Sequence, residues 1–219
     1  MTQTHRRRKQ ARPKEILDAA LALFVEKGFA AARVEEIAER AGMSKGTLYL
    51  YFASKEELLK TLIARRLSTE IAAVAQRAAA YGGTHADLLR QLLATWWSRI
   101  ADDQIGGIIK LVISEVRNFP DLVDFWLNEI VEPSRRLIGE VVRKGMGCGE
   151  FRRVDPDVVV QSLVLPMIMV CVHRHTIGAC ITVDPLLDPP DFFQQHVDLV
   201  LHGLTSCKTA VASPSELHS

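Results

Sequence analysis

Apolar residues recur at three- and four-residue steps along almost all of this 219-residue chain, and no stretch alternates with period two for long. A helix gathers such positions on one face, whereas a strand needs alternation to separate its two faces. The chain is therefore expected to be all-α, with about nine helices set by its Gly, Pro and Ser breaks. A first helix starts near Pro13, with Ile16, Ala20, Leu23 and Phe24 inward, and stops at Gly28. A second runs from about Val34 to Ala41 and ends at Gly42. Ser44 caps a short third, Lys45 to about Phe52. Ser54 and Glu57 form a capping box that opens a long fourth helix, expected to reach about Ala80, where "YGGT" breaks it. Further helices are read at about 84–102, 105–118, 120–144, Pro156 to Gly178 and Pro190 to Thr205. The stretch "GMGCGEFRRVDP" reads as a linker and "SCKTAVASPSELHS" as a disordered tail.

The net charge of +1 conceals a division. Residues 1–66 hold 14 Lys/Arg against 8 Asp/Glu, and the remainder 13 against 18. A basic head on an acidic body fits a nucleic-acid reader joined to something else, and equally a solvated charge run. No secretory signal is read in "MTQTHRRRKQARPKEIL", and the apolar run Val158–Val172 is short of the ~20 residues that cross a bilayer. A cytoplasmic protein with no membrane span is expected. Cys148, Cys171, Cys180 and Cys207 lack zinc or C-x-x-C spacing, so reduced thiols are the default reading and a redox or metal sensor the minor one. His173 and His175, two apart on a helix, face different ways, so no metal site is expected.

The two short helices around "AGMSKG" read as a helix-turn-helix, whose second helix enters a major groove N-terminus first. About two turns suffice for that task. Its front carries Ser44, Lys45, Gly46 and Thr47, donors and a glycine that allow close approach to bases and phosphates. Tyr49 and Tyr51 present hydroxyls while Leu48 and Phe52 pack inward; a surface aromatic resting on its own unit is the competing account. The arm "HRRRKQAR" suits a minor groove or a solvated tail alike.

Over Ile16–Leu59 the text "ILDAALALFVEKGFAAARVEEIAERAGMSKGTLYLYFASKEELL" resembles the DNA-binding domain of the TetR (tetracycline repressor) family of bacterial regulators. The resemblance implies a homodimer with a three-helix DNA-binding head and a helical C-terminal domain that binds a small molecule. It also implies DNA contacts at Lys45, Gly46, Thr47, Tyr49, Tyr51 and Lys55, with Ser44 as cap and near-phosphate donor. One position departs from the pattern: the threonine usual before "VEEIA" is Arg33, which cannot cap through a hydroxyl but can meet a phosphate as a charge. The implied division is a basic arm at 1–11, the head at 12–54, a ligand-binding and dimerisation domain at 55–205 and the tail at 206–219.

The resemblance fades after about Arg66, where large apolar residues gather. Trp96, Phe125, Trp126, Met167 and Cys171 are the candidate ligand pocket, suited to an apolar or aromatic effector, with plain core packing as the alternative. Met169, Phe192, Phe193, His196, Leu199 and Val200 on the last two helices are the candidate dimer face. No Ser/His/Asp arrangement, phosphate-binding glycine loop or metal spacing is found, so neither enzyme activity nor a cofactor is expected. The reading is a ligand-responsive dimeric repressor on a palindromic double-stranded operator. A sequence-indifferent architectural DNA binder and an activator on the same scaffold stay open.

Overall fold

The computed structural model describes residues 3–100, 102–115, 118–180 and 192–205; nothing is described of the side chains of residues 3–11. Its helices are α1 (Gln3–Lys27), α2 (Val34–Arg40), α3 (Lys45–Tyr49), α4 (Lys55–Ile63), α5 (Thr69–Ala79), α6 (His85–Ile100), α7 (Asp103–Glu115), α8 (Pro120–Trp126), α9 (Glu132–Gly147), α10 (Pro156–Arg174) and α11 (Phe192–Leu204). Two π-helical segments, Ala64–Ser68 and Leu127–Val131, join α4 to α5 and α8 to α9. The eleven helices thus form nine continuous rods among the described residues. No strand forms there beyond one isolated bridge between Phe151 and Thr205.

Local signals explain most boundaries. Ser44 Oγ accepts the Thr47 N–H at 3.2 Å, and Ser54 Oγ accepts the Glu57 N–H at 3.1 Å. Glu57 returns its carboxylate to the Ala53 N–H, one residue before the position a capping box uses. Gly42 adopts φ +66°, a left-handed turn in which a Cβ would be strained although nothing lies within 4 Å of it.

Four helices differ from expectation: the third ends at Tyr49, short of Phe52, and the one read at 120–144 is split by the π segment Leu127–Val131. The first helix begins at Gln3, not near Pro13, so the basic arm is helical and Pro13 lies inside α1. The Arg, Lys, Gln and Ala of the arm are good helix formers, and the helix tolerates the N–H that proline lacks. The fourth helix is interrupted by its π segment and is not one α-helix. The apolar α10 starts at Pro156 as expected and continues through Pro166 to Arg174. Proline cannot donate to the Ser162 carbonyl four residues back, and His196 Nε2 of α11 supplies that hydrogen at 2.9 Å. The expected start at Pro190 and the expected tail lie outside the described residues.

Burial divides into two cores. The first unites Phe24, Phe29 and Leu48 of the head and Leu58 and Leu62 of α4 with Ile108, Leu111 and Val112 of α7, Leu122 and Ile130. The second fills the body from Val74 through α6, α9 and α10 to Leu204. Trp96, Trp126 and Leu67 pack against both, at the seam. The head rests on α7 where a Cβ on Gly107 would lie 2.8 Å from Val25 Cγ2, so glycine permits the close approach.

The helix α10 with its continuation, Pro156–Cys180, is by length and composition long enough to cross a membrane, but only 33% of its apolar window is buried. One face packs on α6, α7, α9 and α11; Val158, Leu165 and Met169 remain more than half exposed on the other. A helix apolar on both faces but buried on only one accounts for the run Val158–Val172.

Candidate DNA-binding face and effector cavity

Leu48 and Phe52 are buried and fix α3 against the head, which turns Lys45, Gly46, Tyr49 and Leu50 outward. A Cβ on Gly46 would meet nothing nearer than Ser44 Oγ at 3.9 Å. No packing inside the head therefore requires glycine there. Ser44 Oγ also bonds Thr47 Oγ1 at 2.9 Å, which aligns both hydroxyls at the start of α3. Tyr51 is half-buried on the head core, while Tyr49 is 43% exposed, with Lys45 Nζ 5.7 Å from its ring centroid. Leu50, missed by the sequence reading, is 83% exposed. Its signal was its two-residue offset from buried Leu48, which puts the two leucines on different faces.

Lys45 is already paired: its Nζ lies 2.6 Å from Glu35 Oε1. That bond holds the Glu35 carboxyl below the usual range and raises the Lys45 ammonium above its own. Arg33 is exposed and extended (φ −99°, ψ 144°), and its backbone N–H donates to Glu36 Oε2 at 3.2 Å. The cap of α2 thus keeps the glutamate half of a capping box and lacks the hydroxyl half, leaving the guanidinium without a capping role.

Lys55 departs from the expected outward position. Its Nζ donates to the carbonyls of Phe29, Ala30 and Ala32 at 2.7, 3.2 and 3.1 Å, and lies 4.6 Å from the Phe29 ring centroid. The ammonium is held by the loop after α1, because that loop leaves carbonyls that no helix bonds.

The five candidate pocket residues are dispersed. Trp96 and Trp126 sit at the seam between the cores, and Phe125 lies 6.0 Å from Lys60 Nζ on the head side. Met167 is buried in the body. Cys171 donates its thiol hydrogen to the Gly106 carbonyl at 3.8 Å where α7 and α10 meet. Burial pushes that thiol up to about 11. The neighbouring Trp97 stacks on Phe193 with centroids 5.2 Å apart.

A cavity of about 330 Å³ opens elsewhere, and none of these five lines it. Ile71, Ala75 and Ala78 of α5, Leu88 of α6 and Leu137 and Val141 of α9 form its apolar walls. Tyr81, His85, Arg136, Glu140 and Lys144 add polar groups. Its size falls at the small end of ligand pockets. No local signal in the chain marks it, since the consecutive helices α5 and α6 build it together with the distant α9. Both α5 and α9 leave directly from π segments, and those two segments pack on one another.

The dimer candidates also separate. Phe193 is buried on Trp97, His196 serves the Ser162 carbonyl and Val200 packs on the body core. Internal packing claims these three. Met169 and Leu199 remain 61% and 75% exposed.

Comparison with known proteins gives concordant matches. Residues 16–62 match the family described as bacterial regulatory proteins, tetR family. The chain is 30% identical over 200 residues to the transcriptional repressor KstR2 of Rhodococcus jostii RHA1, covering 90% of this chain and 93% of that one. Among solved structures, the ketosteroid regulator KstR2 of Mycobacterium tuberculosis superposes with a TM-score of 0.67 at 25% identity, covering 90% of this chain and 96% of that one. The regulator FadR of Bacillus subtilis, in complex with stearoyl-CoA, gives 0.71 at 22% identity over 87% and 98% of the two chains.

Proposed function

The chain belongs to the tetR family of bacterial regulatory proteins, and we propose that it is a dimeric repressor released from a palindromic operator by an amphiphilic effector. The observation that carries the DNA reading is the outer face of α3, where Lys45, Gly46, Tyr49 and Leu50 are exposed and nothing inside the head explains the glycine. Ser44, Lys45, Gly46, Thr47, Tyr49 and Tyr51 form the proposed groove contacts, with Arg33 as a phosphate charge. Lys55 is assigned to holding the head together. The head is read as 12–54 and the effector and dimer unit as 55–205.

The effector is proposed to occupy the cavity between α5, α6 and α9. Apolar walls with Arg136 and Lys144 at the lining suit an apolar body that ends in an acidic group. A relative named as a ketosteroid regulator supports the apolar body. An effector wedged between α5 and α9 would strain the contact between the two π segments, and from there act on α4 and α8. π segments inside helices frequently mark functional sites. A hundredfold loss of operator affinity requires about 2.7 kcal/mol of such coupling. Dimerisation is proposed through α10 and α11, where Val158, Leu165, Met169 and Leu199 leave apolar surface uncovered. Since the relatives are regulators, no enzyme activity is proposed.

The test is selection of bound duplexes from a random pool, followed by stoichiometry on the enriched sequence. An inverted repeat with half-sites about one helical turn apart, holding two or more chains, is expected. Titration with a fatty or steroid carboxylate should release it, and an uncharged hydrocarbon of similar size should not. Failure to enrich any sequence would favour an architectural binder instead.

A further inference from the structure

Three side chains scattered along the sequence meet at one corner of the body. His85 opens α6, Cys148 follows α9, and Glu150 lies two residues further on. His85 Nδ1 is 2.8 Å from Glu150 Oε2 and 3.6 Å from Cys148 Sγ. Ligand atoms of all three lie within 4.8 Å of one another. Part of this arrangement is a helix cap: Glu150 accepts the His85 N–H at 2.9 Å and the Ala86 N–H at 2.8 Å. These bonds explain the carboxylate. The bond of His85 Nδ1 to that carboxylate orients the imidazole, and the Cys148 thiol donates to the Gly145 carbonyl at 3.4 Å, so nitrogen, sulfur and oxygen are all held facing one point.

We propose that His85, Cys148 and Glu150 bind one first-row dication of the zinc type, with a fourth coordination position open. Zinc holds imidazole nitrogen at about 2.0–2.1 Å and thiolate sulfur at about 2.3 Å, so a tetrahedral N···S edge is about 3.6 Å. The separation of His85 Nδ1 and Cys148 Sγ already has that value. The corresponding N···O edge is about 3.4 Å, so the Glu150 oxygen has to withdraw by about 0.6 Å from His85 as the ion enters. Charge balances as well. A neutral imidazole, one thiolate and one carboxylate neutralise a dication, so the site goes from −1 to 0 and the positive end of the α6 dipole faces no net positive charge. The thiol proton leaves to solvent when the metal–sulfur bond forms, and the imidazole proton that Nδ1 donates to Glu150 shifts to Nε2, which frees the Nδ1 lone pair for the ion.

The surroundings hold the ligands in place. Gly149, between Cys148 and Glu150, has φ +78°, and a Cβ there would meet nothing within 4 Å. Backbone conformation, not space, is what selects glycine: a left-handed residue turns both neighbours toward His85. The buried ring of Phe151 meets the His85 imidazole edge-on at 6.4 Å between centroids and itself packs against Gly145. Cys148 is exposed, so an ion can enter from solvent. Since His85 also lines the cavity, the ion would sit at its edge.

Cobalt(II) titration of the reduced, full-length chain tests this, because cobalt reports both geometry and sulfur ligation in its absorption. One equivalent per chain is expected, with a thiolate-to-cobalt charge-transfer band, intense tetrahedral visible bands and displacement of both by zinc. Cys148→Ser should abolish the charge-transfer band while far-ultraviolet dichroism stays unchanged. Glu150→Gln keeps an oxygen for the helix cap and should weaken cobalt binding while retaining the sulfur band. A wild-type chain without a saturable band would overturn the proposal, and so would a band that survives Cys148→Ser.

Discussion

Replacing Lys55 by methionine separates two roles for one ammonium. The stem is retained, so the loss falls on the hydrogen bonds to the carbonyls of Phe29, Ala30 and Ala32 and on the contact with the Phe29 ring. Hydrogen bonds to a charged group contribute about 1.5–3 kcal/mol when measured singly. Three of them share one ammonium here, and the lysine gives up about 2 kcal/mol of side-chain freedom to hold them. The net expectation is a loss of about 2 kcal/mol, which for a chain of this size lowers the melting temperature by about 4–8 °C. Thermal unfolding measures that. Operator binding measured across a salt series gives the second readout. An ammonium engaged inside the head leaves the slope of log K against log salt unchanged. One lost phosphate contact per chain would reduce its magnitude by about 0.9 for each chain bound. An unmoved melting temperature with a shallower slope would refute the internal role and restore Lys55 to the DNA face.

Glu35→Gln removes the carboxylate that holds Lys45, so operator binding should tighten a few-fold at low salt and the gain should shrink as salt rises; an unchanged affinity would show that the pair does not compete with DNA. Cys171, buried and with its thiol pushed up to about 11, should resist alkylation in the native chain while exposed Cys148 and Cys180 react, as read by peptide mass mapping. His196→Ala should cost about 1 kcal/mol in the wild-type chain, where it orphans the Ser162 carbonyl, and almost nothing in a Pro166→Ala background, where the backbone N–H of residue 166 replaces it. Equal costs in the two backgrounds, measured by denaturant unfolding, would mean that the histidine bond does not compensate the proline.

The head was legible because its signals are local. Ser44, Ser54, Gly28 and Gly42 act within a turn of themselves, and each stands where the spacing placed it. The π segments carry no comparable signature. Ala64–Ser68 would serve an α-helix as well, and which register wins is decided by packing against the second π segment, some sixty residues away. Pro166 is the opposite case. Its cost to the helix is real, but the partner that offsets it stands on another helix. Trp96 and Trp126 were read as pocket walls because large apolar residues mark pockets and cores alike, and only the tertiary arrangement puts them at the seam. The corner formed by His85, Cys148 and Glu150 was invisible for the same reason, since a separation of 63 residues between the first two resembles no ligand spacing.

The two cores also constrain how an effector could act. Leu48 of the head and Leu58 of α4 share one buried cluster with Ile108, Leu111 and Val112 of α7, and Gly107 lets α1 lie directly on that helix. A head held this way cannot swing on α4 alone, because rotation would break the contact of α1 with α7. If the effector separates α5 from α9 as proposed, the displacement has to pass through the paired π segments and move α4, α8 and the head as one body against the second core. Trp96, Trp126 and Leu67 lie where those bodies meet. Close-packed interfaces of that kind hold one of a few discrete arrangements and do not deform gradually, so in the proposed dimer a small change at the cavity would be enough to reset the spacing of two heads.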